Sequence, residues 1–263
     1  MPKAKPDTIP AQTRICFDRV VPERYHPAHA TMERVARQHA AAALALNPAD
    51  VIPARMAIPA IKKWENGRQL VCRFLDGSPT QKKKTEAIAH QWEKYANITF
   101  KFVATGDAEI RISFQADPGS WSAVGTDALV EAYFPKFQPT MNYGWLRDGT
   151  ADHEYTRVVL HEFGHALGCI HEHQSPKFKK KWLKAEVYRV FSGPPNFWSK
   201  EDIDHNVLQR YGSQGMLTTD GADNDSIMLY QFDGSLFVDG KPTPTNEELS
   251  AQDKAFIAKI YPK

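Results

Sequence analysis

The residues with the most chemistry in them stand in one string, His161-Glu162-Phe163-Gly164-His165-Ala166-Leu167-Gly168-Cys169-Ile170-His171. On a helix, positions four apart share one face, so His161 and His165 can present two imidazoles to one cation. Zn2+ accepts imidazole nitrogen at ~2.0–2.1 Å. Glu162, next to the first ligand, is placed to take a proton from a water that the metal activates, without itself binding the metal. A third ligand cannot reach the same ion if the helix runs on. Gly168 readily takes positive φ, which lets the chain turn and swing His171 back. Three protein ligands leave a fourth position open, as in a catalytic zinc site rather than a structural one. The competing reading, a surface helix that happens to carry histidines, leaves the placed glycine without a reason.

The string needs a helix, and the chain provides one. Residues 155–167 read as helical, with Asp152 as N-cap, Glu154 in the positive first turn and Gly168 as the stop. A mixed α/β pattern precedes it. Residues 69–75 read as a strand closed by a turn at 76–79, and 80–96 as a helix with Ile88 and Trp92 on one stripe. Residues 98–103 read as a strand. In 109–114, Ile110, Ile112 and Phe114 alternate with Arg111 and Ser113, the pattern of a half-buried strand. Shorter strands are expected at 121–125 and 140–145. Beyond the string come a lysine-rich stretch, a helix at 201–211, a Gly/Asp/Asn loop and a last helix from Ser250. Ser250 with Asp253 approximates a capping box, and Phe256, Ile257 and Ile260 form that helix's apolar face. The expected class is α+β.

Residues 1–63 differ in composition, being rich in Pro, Ala, Arg and His. They are expected to form an N-terminal extension, a pro-segment or packing arm, with a helix at 28–46 ended by Asn47-Pro48. The main domain is expected at 64–263, divided at the third histidine into 64–171 and 172–263.

Composition sets outer limits. With 33 Lys plus Arg against 31 Asp plus Glu, the net charge is +2, which gives no electrostatic footprint for nucleic acid. No apolar run reaches the ~20 residues that span a bilayer, and no apolar core follows the basic N-terminus as in a signal peptide. The default compartment is therefore cytoplasmic. The alternatives are export by a non-classical route or a leader lost from a precursor. Three cysteines, Cys16, Cys72 and Cys169, do not suit a disulfide framework.

The string resembles the extended zinc motif of the metzincin peptidases at every fixed position. A second family mark, a methionine-containing turn, is matched by Asp225-Ser226-Ile227-Met228-Leu229-Tyr230. The local pattern Ser-x-Met-x-Tyr is closest to the astacins, whose tyrosine binds zinc at rest and swings to stabilise the transition state. The resemblance gives that role to Tyr230 and makes Met228 an apolar floor beneath the histidines. Glu172 follows the third histidine as in astacins. Cys169 and Leu229 depart from them, as does Gln174-Ser175-Pro176 where an arginine is usual, so activation by burying a new N-terminus is not expected. The chain is most similar to disulfide-poor, astacin-like members of bacteria and fungi, over about Trp64 to Tyr261. The fold this implies is a twisted mixed sheet with two long helices above a cleft, and a smaller irregular C-terminal part ending in a helix.

The implied reaction is hydrolysis of peptide bonds, with one catalytic zinc on His161, His165 and His171, Glu162 as general base and Tyr230 as oxyanion partner. The substrate is a protein or peptide, pairing with an exposed edge strand for which 121–125 is the candidate. A monomer is expected, with no nucleic-acid or membrane partner. Two rival readings are a non-catalytic, zinc-containing peptide-binding module and a zinc hydrolase of non-peptide amides or esters. Among weaker features, Cys16 reads first as an ordinary buried cysteine and second as a pro-segment thiolate that holds the enzyme latent. His173 reads as a solvent or outer histidine. Lys177, Lys179, Lys180, Lys181 and Lys184 read as a solvated face. Asp220, Asp223, Asn224 and Asp225 offer oxygen ligands for Ca2+ without EF-hand spacing.

Overall fold

β-Branched and aromatic runs between residues 69 and 114 lay down one side of a sheet, and the zinc-motif helix packs against the sheet at the strand Trp121–Ala123. The computed structural model describes residues 16–19, 21, 58–59, 62–116, 119–194, 196–210, 216–217 and 222–263. The helix expected at 28–46 lies outside them. Eight strands are described: β1 (Phe17–Arg19), β2 (Ile58–Pro59), β3 (Gln69–Phe74), β4 (Thr99–Val103), β5 (Ile110–Ser113), β6 (Trp121–Ala123), β7 (Met141–Asn142) and β8 (Met216–Leu217). Six form one mixed sheet in the order β1-β6-β7-β5-β3-β4. β4, β3, β5 and β7 run parallel, and β6 runs antiparallel to β7. β1 lies parallel to β6, with Phe17 opposite Trp121 and Arg19 opposite Ala123. β2 and β8 form a separate antiparallel pair.

The helices among the described residues are α1 (Pro79–Ala89), α2 (Asp152–Ala166), α3 (Lys184–Phe191), α4 (Lys200–Ile203) and α5 (Ala251–Ile260). None among the described residues is long and apolar enough to cross a membrane. Ser78 caps α1 in a reciprocal box with Gln81, and Pro79 holds the first position, where its missing N–H costs nothing. α1 stops at Ala89, short of the expected 96. There the fully buried Trp92 opens a 3-10 turn and gives its indole N–H to the Leu160 carbonyl (3.1 Å). Glu93 in the same turn accepts from the Phe100 backbone N–H (2.6 Å), so tertiary bonds override helix propensity.

β5 is buried on both faces rather than one. Arg111 survives there because its guanidinium donates to the carbonyls of Ala108, Phe134, Pro135 and Gln138. The strand expected at 121–125 ends at Ala123 and becomes a 3-10 turn over Gly125–Leu129, entered at φ +54°. The strand expected at 140–145 keeps two residues. The C-terminal helix forms as expected from Ser250, with its capping box to Asp253. The helix expected at 201–211 is α4 followed by a π-turn, Asp204–Leu208, and Tyr211 lies outside the described residues. α3 was hidden by the lysines around it: Val187 and Phe191 bury one face while its charges stay outside.

Candidate metal centre

α2 carries the first two histidines and the glutamate. Its N-cap is Ala151, not Asp152, whose carboxylate is drawn instead to Lys84 (2.8 Å). At the other end the chain closes as a Schellman motif. Gly168 has φ +101°, its N–H donates to the His165 carbonyl (2.7 Å), and the Cys169 N–H donates to the Gly164 carbonyl (2.9 Å). The turn expected at Gly168 is thus present, and it brings His171 back to the helix.

The three rings converge. His165 Nε2 lies 3.1 Å from His161 Nε2 and 3.0 Å from His171 Nε2, and the three donor atoms all lie within 4.8 Å of one another. Tetrahedral zinc with ~2.0–2.1 Å bonds separates its ligand nitrogens by roughly 3.3 Å, so the set fits the ion. The far nitrogens confirm the tautomer. His161 Nδ1 donates to the Ile227 carbonyl (2.8 Å), His165 Nδ1 to the Cys169 carbonyl (2.8 Å) and His171 Nδ1 to the Gln174 side-chain oxygen (3.3 Å). Each acceptor fixes a proton on Nδ1 and leaves the Nε2 lone pair for a metal. Burial, reinforced by the neighbouring His165 and His171, holds His161 well below the usual imidazole range, so it stands neutral and ready to ligate. Among the described residues this is the one cluster of three or more His, Cys, Asp or Glu donors that could hold a metal.

Outer contacts hold each ring. Gln174 also donates from Nε2 to the His205 carbonyl (2.7 Å), which orients its amide oxygen toward His171. The neighbouring π-turn carbonyl of Asn206 takes the His173 ring (3.0 Å). His173 is wholly buried beside Phe232 and Trp182, not solvent-facing: the 3-10 turn Glu172–Gln174 carries it inward. The carbonyl that serves His161 belongs to a turn tied down by Asp253 of α5. That carboxylate accepts from Ser226 Oγ (2.7 Å), the Ile227 N–H (2.8 Å) and the Ser250 N–H (3.0 Å). Met228 lies fully buried under α2, so close that a Cβ on Gly164 would sit 2.4 Å from its sulfur. Asp223 is spoken for as well: its oxygens accept from the Asp225 N–H (3.1 Å) and Ser250 Oγ (2.7 Å). Asp220, the other end of the suggested Ca2+ loop, lies outside the described residues.

The exit of α2 is braced from both ends of the chain. The Trp64 indole donates to the Ala166 carbonyl (2.7 Å). The Tyr261 hydroxyl donates to the Leu167 carbonyl (2.7 Å) and accepts from the Trp64 N–H (3.1 Å). Lys62 pairs with Asp127 at 2.6 Å, both buried, and its carbonyl presses on Gly125, where a Cβ would lie 1.9 Å from it and 3.1 Å from Gly168 Cα. Gln174, Asp253, Trp64, Tyr261 and Lys62 were not singled out by sequence for this site. Gln174 alone had a signal, three residues after the third ligand.

Glu162 is fully buried beside its ligand neighbours. The unexpected neighbour is Cys16. Burial, and then the adjacent Glu162 carboxylate, push its thiol well above the usual range. Cys16 is buried, as first expected, and its place is beside Glu162. Its carbonyl also accepts a hydrogen bond from the Tyr230 hydroxyl. Tyr230 itself lies tilted against His171, ring centroids 4.0 Å apart, and stacks on His161 at 5.2 Å. The edge expected to be open at 121–125 is covered: β1 pairs along it directly after Cys16.

Comparison with known proteins agrees with this geometry. A family model described as matrixin matches residues 63–190. A solved structure of myroilysin superposes with a TM-score of 0.75 at 42% identity, covering 79% of this chain and 98% of that one. Mouse (Mus musculus) stromelysin-1 is 26% identical over 172 residues, 59% of this chain and 34% of that protein. Rat (Rattus norvegicus) stromelysin-2 is 27% identical over 135 residues, 47% of this chain and 26% of its own. The chain thus spans about a third or less of the curated relatives it matches. The converging histidines, the glycine turn and the match over nearly the whole of myroilysin's structure lead to one statement: this chain belongs to the metzincin family of zinc-dependent metalloendopeptidases.

Proposed function

We propose that the chain is an endopeptidase held closed by its own N-terminal strand, with His161, His165 and His171 holding zinc and Glu162 as the general base. Bound zinc supplies Lewis-acid polarisation of a scissile carbonyl and activation of water. Glu162 takes the proton of the attacking water and passes it to the leaving nitrogen; a buried carboxylate one residue from a ligand is placed for both transfers. Tyr230 donates its hydroxyl to the scissile oxygen as charge develops there. That role is supported by the hydroxyl's present partner, a peptide carbonyl, and agrees with an astacin-like Ser-x-Met-x-Tyr turn in which Met228 floors the site. A peptide or protein substrate would replace β1 on β6 by strand addition. We read the enzyme as a single chain working on peptides. A strand laid along the edge a substrate would use suits an enzyme made inert and released elsewhere, so we favour export over the cytoplasm.

The observation that carries this reading is the triad of Nε2 atoms with Glu162 between two of its ligands. The test uses the full chain. Consecutive strand residues point their N–H groups to opposite sides, so replacing both Phe17 and Asp18 with proline must remove one donor from the β1–β6 ladder. The zinc-loaded double-proline variant should cut a peptide library well above wild type. Adding Glu162→Gln should lower cleavage by roughly 10²–10⁴-fold at unchanged zinc content. Zinc-loaded double-proline protein that cuts nothing would refute the endopeptidase reading.

A further inference from the structure

Arg19, at the end of β1, rests on a prepared aromatic surface. Its guanidinium carbon lies 4.4 Å from the centre of the Trp121 ring, 5.8 Å from that of Tyr133 and 5.9 Å from that of Phe134. All three fall inside the distance at which a ring quadrupole attracts a cation. The surface is built independently of Arg19. Trp121 and Phe134 stack at 6.3 Å with 21° between planes, and Tyr133 meets Phe134 edge-on at 4.9 Å. The loop bearing the last two is fixed by their N–H bonds to the Val130 carbonyl (2.9 and 2.8 Å). It is fixed again by the buried Arg111, whose guanidinium donates to the Phe134 carbonyl (2.9 Å). Trp121 stands on β6 itself, the strand a substrate would pair with.

Position adds to chemistry. Cys16 marks the reacting centre, since its thiol faces Glu162 and its carbonyl faces Tyr230. Arg19 lies three residues along the same strand, opposite Ala123. An extended substrate on the same edge would pass over the same rings two to four residues from the bond it presents to Glu162.

We propose that Trp121, Tyr133 and Phe134 form a substrate subsite for a guanidinium side chain, which β1 fills with Arg19 while the enzyme is closed. The proposal rests on the endopeptidase reading and names the substrate class for that site. Arginine suits it better than lysine, because a planar, weakly hydrated guanidinium stacks on aromatic faces where an ammonium keeps its water. One rigid surface then does two jobs: it holds the inhibitory strand down, and it selects what takes the strand's place.

The test uses the full chain with Phe17→Pro, Asp18→Pro and Arg19→Ala together, zinc-loaded, so that the edge is released and the surface vacated. A peptide series differs only at one residue two, three or four places from the cut, on either side, and carries arginine, lysine, citrulline or norleucine there. At one of these places kcat/KM should favour arginine over norleucine by about 2- to 30-fold, with citrulline near norleucine, and the preference should lie mainly in KM. Tyr133→Leu should shrink that ratio. Trp121→Leu should shrink it further, with zinc content and melting temperature checking that each variant is folded. Cleavage with no arginine preference at any place, or a preference that neither variant reduces, overturns the subsite and leaves the endopeptidase reading standing. No cleavage of any peptide overturns both.

Discussion

At the residue scale, the centre depends on small groups that leave room and on oxygens that aim rings. Gly164 shows the first. With Met228 sulfur 2.4 Å from where a Cβ would be, Gly164→Ala must push apart the helix and the methionine floor between two zinc ligands. It should lower unfolding free energy by about 1–3 kcal/mol, read as a fall in melting temperature, and weaken zinc retention against a chelator. Asp253 shows the second. Burial raises its pKa to about 6, against the pull of three hydrogen bonds. The folded chain thus holds this proton more tightly than the unfolded one. Stability from this group is therefore full below pH ~4 and is lost as pH rises toward 6, by up to about 3 kcal/mol. In metal-free protein, the difference in unfolding free energy between wild type and Asp253→Asn should narrow by about that amount from pH 4 to pH 7. A constant gap in paired denaturant titrations would mean the carboxylate is not burdened in this way. The ligands, Glu162 and the glycine turn were legible in the sequence because they sit within eleven consecutive positions, where helix geometry alone relates them. Asp253 was legible only as a cap. That its other bonds hold the turn behind His161 depends on a pairing 26 residues apart that no local pattern encodes.

At the element scale, the zinc helix is useful because of how it ends. An α-helix leaves its last carbonyls without partners. Here the Schellman turn takes Gly164 and His165, Trp64 takes Ala166 and Tyr261 takes Leu167. Removing one hydroxyl breaks this set. Tyr261→Phe strands the Leu167 carbonyl and the Trp64 N–H in a buried place, which should cost about 1–3 kcal/mol. Because the next residue is the glycine that redirects His171, zinc affinity should also drop, by roughly tenfold, measurable by chelator competition. Retained affinity with lowered stability would show that the turn holds without this brace. The strands and helices of the sheet half were legible because their apolar periods are clear. Arg111 misled, reading as the solvent side of β5, since a charged residue in a buried strand is visible only once the carbonyls of 134–138 fold over it. α3 was missed for the opposite reason: the lysine-rich run that leads into it and its own charges outweigh two buried anchors, Val187 and Phe191.

At the scale of the whole molecule, the sheet gains an edge strand, β1, from far back in the sequence, and it covers β6. Sequence composition marked residues 1–63 as different, but nothing in three residues of β1 announced that they would return to a strand more than a hundred positions away. Cys16, Tyr230 and Arg19 acquire meaning only through that return. The same fold packs Lys62 into the wall made by β6 and the turn that follows it, and this bears on where the working enzyme can start. Its ammonium is the buried counter-charge of Asp127, in the turn that directly follows β6, and its carbonyl seats Gly125 against Gly168. A maturation cut that freed β1 but also took Lys62 would leave a carboxylate stranded in the wall, a loss of the order of 3–5 kcal/mol, right where the chain turns toward the third histidine. The shortest competent form of this protein should therefore begin at Lys62 or earlier, two residues before composition alone would set the boundary.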